Sequence, residues 1–412
     1  MKKFFLCSTI LLFLFFCTAC GSSKTTDDSD PGEAQNDEDQ VDAEPDDSEI
    51  PDDTEPTEEP DQEDTDTEPA EEPGPCDPNP CEEIANSTGI CTVKEAQYVC
   101  ECDTEYDWNG LSCVRSVPLS LGNICTGQTE CYDMSSLMEC PSSPEADFYG
   151  QDQHYAALGY CTPQSFTALS DVIVDNNTGL VWEKSSSSDT YTWEDAQNHC
   201  NDLNEEAFAG IDSWRVPNPL ELLTVVDNSR SRPAMNQNFN KMVIAVWTSK
   251  SYETESGTSA YSFSPYYGDV SSTEKTEPLK VLCVSGDEMQ AAKENDFEVS
   301  EDGMTVTDKR TGLVWEKTYH TDMDWKAMLA YCQSLNTGTE TGWRLPNKNE
   351  IASLLDPDKD LPYSNFPGMS YDYCLWSSST FVHFTDNAWE ICRGDVAAYH
   401  KDFENNEFRC VK

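Results

Sequence analysis

Apolar residues three and four positions apart occur in two matching runs, Trp193, Ala196, Cys200 and Leu203, and Trp325, Met328, Cys332 and Leu335. That spacing predicts an amphipathic helix in each place, with one cysteine on its buried face. Thr192, with Asp195 three residues on, and Asp324 stand where N-caps belong. A second helical pattern follows each run: Leu220 and Leu223 behind Asn218-Pro219-Leu220-Glu221, then Ile351, Leu354 and Leu355 behind Asn347 with Glu350. Asparagine followed three residues later by glutamate is a capping box, and proline suits the first helical position because no N–H is needed there. Near the ends, Val281 and Cys283, like Phe408 and Cys410, alternate as one face of a strand.

The elements recur because a block recurs. Val174-Asp-Asn-Asn-Thr-Gly-Leu-Val-Trp-Glu-Lys184 returns as Thr307-Asp-Lys-Arg-Thr-Gly-Leu-Val-Trp-Glu-Lys317. Trp214-Arg-Val-Pro-Asn218 then matches Trp343-Arg-Leu-Pro-Asn347, and Val246-Trp-Thr-Ser249 matches Leu375-Trp-Ser-Ser378. The chain therefore holds two copies of one domain. Together these motifs resemble the C-terminal domain family named after the Legionella collagen-like adhesin. The second copy keeps the family's closing Arg409-Cys410-Val411, whereas the first has Leu282-Cys283-Val284 without the arginine. Gly127-Gln-Thr-Glu-Cys131-Tyr and Phe148-Tyr-Gly-Gln-Asp152 look like the stretch that precedes such domains. The resemblance implies two tandem α+β domains of C-type-lectin-like kind, residues 166–285 and 296–412, behind a lead-in at 114–165.

Charge separates the chain into unlike regions. Of 78 acidic residues, 24 lie between Thr25 and Pro75, where there is no lysine or arginine. Such a segment repels itself and has no apolar face to bury, so residues 20–75 are expected to be a disordered tether. At about 3.1 Å per residue it would reach on the order of 170 Å. The rest of the chain is also acidic, with 54 acidic against 22 basic residues from Cys76 onward, which excludes generic binding to nucleic acid or other polyanions. Residues 1–19 read as a signal: Lys2-Lys3, an apolar run too short to span a bilayer once mature, then Thr18-Ala19-Cys20-Gly21. This resembles a bacterial lipoprotein signal, with Cys17 where leucine is usual, and implies a lipid on Cys20 and an envelope location at the outer membrane or cell surface.

Sixteen of the nineteen cysteines follow Cys20, an even number that favours disulfides in an exported chain. Cys76, Cys81, Cys91, Cys100, Cys102 and Cys113 have the spacing of an EGF-like module, residues 76–113. That resemblance implies pairing Cys76–Cys91, Cys81–Cys100 and Cys102–Cys113; spacing alone allows fifteen pairings. The stretch before Cys76 lacks the acidic cluster of the calcium-binding version, so a module without metal is expected. In the repeats, helix and last strand would be joined by Cys200–Cys283 and Cys332–Cys410, each closing a loop of about 80 residues worth roughly 4 kcal/mol in the chain-entropy model. Copy 2 adds a pair, Cys374 and Cys392. Cys125, Cys131, Cys140 and Cys161 pair among themselves in an order the sequence leaves open.

No motif for catalysis stands out. His154, His199, His320, His383 and His400 show no zinc spacing, and G-x-S-x-G, P-loop and G-x-G-x-x-G patterns are missing. Cys374 and Cys392 would support an oxidase-like alternative, akin to formylglycine-generating enzymes, only as free thiols. Arg215 and Arg344 are expected to bond buried carbonyls or a carboxylate such as Asp175 or Asp308. Asp356-Pro-Asp-Lys-Asp360 imitates a calcium loop but has Leu361 and Pro367 where glycine and glutamate belong, so it reads as a turn. Arg393-Gly394-Asp395 is an integrin-type tripeptide in a strand-turn context. Aromatics repeated in both copies are core. Tyr261, Tyr266, Tyr267, Trp389 and Tyr399 lie in the variable stretch before the last cysteine and are the candidate ligand contacts. The expected function is recognition of a neutral glycan or an extracellular protein by a membrane-tethered, non-enzymatic protein without cofactor or metal, the alternative being a structural envelope role.

Overall fold

The computed structural model describes residues 73–252, 257–336, 341–359, 363–370 and 374–412; the signal, Cys20 and nearly all of the acidic tether lie outside the described residues. The first described segment carries two hairpins, β1 (Ser87–Lys94) with β2 (Gln97–Cys102) and β3 (Tyr106–Trp108) with β4 (Cys113–Arg115). Bridges Cys76–Cys91, Cys81–Cys100 and Cys102–Cys113 staple them. Their own apolar cluster centres on Cys81, Cys100 and Cys113, too little to hold a fold without the staples. The lead-in follows with β5 (Cys131–Tyr132), β6 (Leu137–Met138) and helix α1 (Asp152–Ala157). Its bridges are Cys125–Cys161 and Cys131–Cys140.

Copy 1 comprises β7 (Phe166–Ala168), β8 (Val172–Asp175), β9 (Val181–Glu183), α2 (Ala196–Glu205), α3 (Pro219–Thr224), β10 (Val246–Tyr252), β11 (Ser259–Ser264), β12 (Asp269–Glu274) and β13 (Val284–Ser285). Copy 2 repeats it with β14 (Phe297–Val299), β15 (Thr305–Asp308), β16 (Val314–Glu316), α4 (Trp325–Ser334), α5 (Lys348–Ala352), β17 (Leu375–Thr380), β18 (Asn387–Cys392) and β19 (Asp395–His400). Sheet with few helices and many disulfides is compatible with the α+β expectation. One boundary moves. Asp324 caps α4 through Ala327 N–H at 2.7 Å, but α2 begins at Ala196 behind Asp195, and Thr192 instead donates its hydroxyl to Asp195 at 2.8 Å. Trp193 thus precedes its helix, although its indole N–H reaches Thr248 O at 2.8 Å just as that of Trp325 reaches Ser377 O at 2.8 Å.

The repeat in sequence is not a pair of separable bodies. Strands run β10-β11-β12-β19-β18-β17 in one six-stranded antiparallel sheet, so the order in copy 1 is mirrored in copy 2. Gly268-Asp269-Val270 and Gly394-Asp395-Val396 are equivalent tripeptides, and Val270 pairs directly with Val396 at the join. Both glycines have positive φ, and a Cβ on Gly268 would lie 2.7 Å from Val226 Cγ1, so only glycine fits where the chain turns into the shared edge. The largest core cluster draws Leu223, Val226, Phe263 and Val270 from copy 1 and Ile351, Leu354, Trp389 and Val396 from copy 2. The two tandem copies are therefore not separate bodies: Glu71–Lys412 is one unit, because edge strands that would otherwise be open to solvent pair with each other.

The lead-in is wedged into the same body. Gln128 and Thr380 exchange hydrogen bonds, Nε2 to Thr380 O at 2.9 Å and Thr380 N to Oε1 at 3.0 Å. Asn349 Nδ2 donates to Ile124 O at 2.9 Å, and Asn228 N and Nδ2 both donate to Thr126 O at 2.8 and 3.1 Å. Asp152 takes hydroxyls from Thr126 at 2.6 Å and Ser379 at 2.5 Å. The stapled hairpins dock on copy 1, where the Ser112 hydroxyl lies 2.9 Å from Asn176 Oδ1 and Leu111 and Val114 pack against the smaller core.

Candidate recognition surface

The distinctive Trp-Arg-x-Pro-Asn block turns out to build helix starts. Asn218 accepts from Glu221 N at 3.0 Å while Glu221 accepts from Asn218 N at 2.8 Å, and Asn347 and Glu350 repeat this at 2.9 and 2.8 Å. The arginine then grips the same glutamate. Arg215 meets Glu221 at 2.8 and 2.6 Å, and Arg344 meets Glu350 in the same bidentate manner. The partner is therefore the capping glutamate and not Asp175 or Asp308; Asp308 is taken by Arg310 at 2.8 Å, and the Asp175 carboxylate turns back to Asn177 N–H at 2.9 Å. A fork of donors matches a carboxylate better than a lone carbonyl does, and i+6 across the turn brings it within reach. Arg409, present only in copy 2, is buried on the carbonyls of Glu316, Lys317 and Gly368.

Bridges Cys200–Cys283 and Cys332–Cys410 join α2 and α4 to the closing segments of their copies across spans of 83 and 78 residues, Cys283 just before β13 and Cys410 outside any strand, and Cys374 is joined to Cys392. Two groups of donor atoms gather around these sulfurs, Glu183 with His199 and Cys283, and Glu390 with Cys374 and Cys392. With the sulfurs bridged, neither group presents the thiolate that metal binding or nucleophilic chemistry requires. Burial pushes the Glu390 carboxyl up to about 7, and Asn406 Nδ2 covers one of its oxygens.

The aromatic candidates separate sharply. Tyr261 is buried against Tyr252 and Gly394, and Trp389 against Phe381 and under Lys348 of α5, so they cannot be surface contacts. Their strand positions point inward because helices α3 and α5 pack on that face of the sheet. In the Arg393-Gly394-Asp395 turn only Arg393 is exposed; Tyr261 and Tyr363 press on Gly394, and Asp395 is mostly buried. That tripeptide is a strand-turn element, not a displayed ligand. Asp356-Pro-Asp-Lys is likewise a turn, its Asp356 N–H bonded to Tyr363 O at 2.8 Å. Tyr399 is exposed and packs on Phe403 with centroids 4.9 Å apart, away from the rest.

Tyr266 and Tyr267 are brought together with residues the sequence did not single out. Their rings meet edge to face at 4.8 Å, and Tyr267 contacts Phe381 at 5.8 Å and His383 at 5.2 Å. His383 meets Phe384 edge to face at 4.3 Å, and Phe384 is 53% exposed. Arg232 lies 5.3 Å over the Tyr266 ring and donates to His383. Desolvation and the neighbouring guanidinium hold the His383 imidazole below its ordinary pKa, leaving it free to accept that bond. The result is an aromatic platform with one cation, assembled from Tyr266, Tyr267 and Arg232 of copy 1 and Phe381, His383 and Phe384 of copy 2. Its copy 2 members lie in the same variable stretch before the last cysteine, so that positional signal pointed to both halves.

Duplicated framework, capping boxes and the bridges from α2 and α4 to the closing segments agree with one family. This chain belongs to the Lcl C-terminal domain family, which matches residues 171–285 and 304–412, a little over half of its length. No curated protein matches it. The family points to an adhesin-like protein of the cell surface. Among the described residues no helix is long and apolar enough to cross a membrane.

Proposed function

We propose that this Lcl-family protein is a non-enzymatic surface adhesin, tethered through lipid on Cys20 and the acidic segment, that recognises an extracellular protein or neutral glycan. The single observation that supports it is the platform of Tyr266, Tyr267, His383, Phe384 and Arg232, because it exists only where the two copies meet. Exposed phenylalanine and arginine around half-buried tyrosines form the kind of patch that carries binding energy in protein interfaces. The stapled segment at 76–113 acts as an EGF-like spacer that holds copy 1 at a set orientation, and the lectin-like reading of each copy supplies a rigid scaffold.

A matrix-protein and glycan array probed with residues 71–412 tests this reading; the stapled hairpins are kept because they pack on copy 1. Saturable binding reduced at least tenfold by Tyr266→Ala with Phe384→Ala is expected. No saturable binding would favour a structural envelope role instead. Incorporation of a palmitate analogue that disappears in Cys20→Ala is the expected result for the anchor, and labelling that survives the substitution would remove it.

A further inference from the structure

A cavity of about 670 Å³ opens on the other side of copy 2, between the lead-in and helix α4. That volume falls within the roughly 300–1,000 Å³ typical of small-molecule sites. Phe148, Tyr149 and Tyr160 come from the lead-in, and Lys326, Gln333 and Asn336 from α4 and its end. The framework is fixed from behind. Asn336 clamps the backbone of Trp343, donating to its carbonyl at 2.8 Å and accepting from its N–H at 2.8 Å, while Gln333 donates to Tyr155 Oη. Phe148 is held at φ +62°, a left-handed conformation that costs a non-glycine residue of order 1 kcal/mol or more and recurs at ligand sites. Lys326 reaches over the Phe148 ring at 5.3 Å and is bound to Asp147 at 2.6 Å.

Wall chemistry narrows the ligand. Aromatic faces receive the apolar C–H faces of a sugar ring, and hydroxyl groups beside them receive its hydroxyls. Tyr149 and Tyr160 supply both, since neither phenol oxygen has a hydrogen-bond partner among the described residues. The one lysine is neutralised by Asp147, and Glu145 adds a negative charge near Tyr149, so an anionic ligand would meet no free cation. We infer that this groove is a binding site for a short neutral oligosaccharide. It is separate from the platform and stands whether or not the platform binds anything. Among the described residues the lead-in roofs α4 and not α2, so one such site per chain is expected.

The test uses residues 71–412 titrated with maltotriose, cellotriose and N,N′,N″-triacetylchitotriose, followed by calorimetry and saturation-transfer NMR. At least one trisaccharide is expected to bind at one site per chain, with affinity lowered tenfold or more in Tyr149→Ala and several-fold in Tyr149→Phe and Tyr160→Phe, which keep the rings and the fold. Tyr266→Ala is expected to leave that affinity unchanged. Three outcomes would each overturn the inference: no saturable binding of any of the three sugars, sugar binding indifferent to all the Tyr149 and Tyr160 variants, or binding of pentalysine in place of the sugars.

Discussion

Copy 1 and copy 2 carry the same Arg-Glu fork on the same capping box, yet the forks live in different surroundings. The Arg215 side chain keeps 24% of its exposure, with Gly286 O and the chain leaving copy 1 beside it. Arg344 keeps 1%, because Tyr155 and Tyr160 of the lead-in lie over its guanidinium at 5.1 and 5.4 Å. An identical local motif is thus a partly wet clamp in one copy and a sealed ion pair in the other. The difference teaches that the lead-in, which touches both copies, covers the arginine fork of copy 2 alone, and the same cover creates the groove.

The largest expected effect follows from that burial. Removing one partner of a sealed pair strands the other, so Arg344→Ala should destabilise residues 71–412 by about 3–5 kcal/mol, while water entering beside Glu221 should hold Arg215→Ala to roughly half as much. Urea unfolding curves of the two variants decide it, and equal losses would break the comparison. Those curves should also show a single transition in the parent protein, since the copies share a sheet and a core; two resolved transitions would mean that the join at Val270 and Val396 is weak.

Next in size is the pair Asp269 and Asp395, equivalent positions flanking the join. Burial first, and the charge of Asp269 second, push the Asp395 carboxyl up to about 7, whereas Asp269 is raised less, Ser264 and Lys348 offsetting its burial. A raised carboxyl favours folding while protonated, so its contribution is complete below the unfolded value of 3.8 and is lost as pH rises through about 7. Asp395→Asn should therefore stabilise the protein at pH 8, flatten the fall in stability between pH 4 and 7, and do both more than Asp269→Asn. Melting temperatures across that range are the measurement, and an unchanged slope in Asp395→Asn would remove Asp395 as its source. Lys348 works in the opposite direction: burial lowers its amine to about 7, so stability drawn from it is lost as pH falls from 10.5 toward 7.

Smallest, and nearly equal in the two copies, should be loss of a cap. Asn218→Ala and Asn347→Ala each remove the acceptor at a helix start with matching geometry, so each should cost about 1 kcal/mol for the cap, and Asn218→Ala slightly more because its Nδ2 also donates to Met289 O at 2.8 Å. A large inequality here would show that tertiary cover matters even to the cap.

Sequence alone determined what depends on neighbours along the chain. Capping boxes at Asn218 and Asn347, the helix carrying Cys332 and the duplication were all legible, because periodicity and caps act within a few residues. The expected last strands at residues 281–283 and 408–410, by contrast, are not strands: β13 is only Val284–Ser285, and Phe408 and Val411 make isolated bridges. Only tertiary structure decided that Trp193 precedes its helix, that Arg215 and Arg344 choose the capping glutamate, and that Tyr261 and Trp389 are core while Tyr266 and Tyr267 stay half-buried. The physical reason is shared by all of these. Alternation along a strand tells which residues share a face but not which face another layer will cover, and here helices α3 and α5 cover one face of a sheet that the two copies close edge to edge at Val270 and Val396, far apart in sequence.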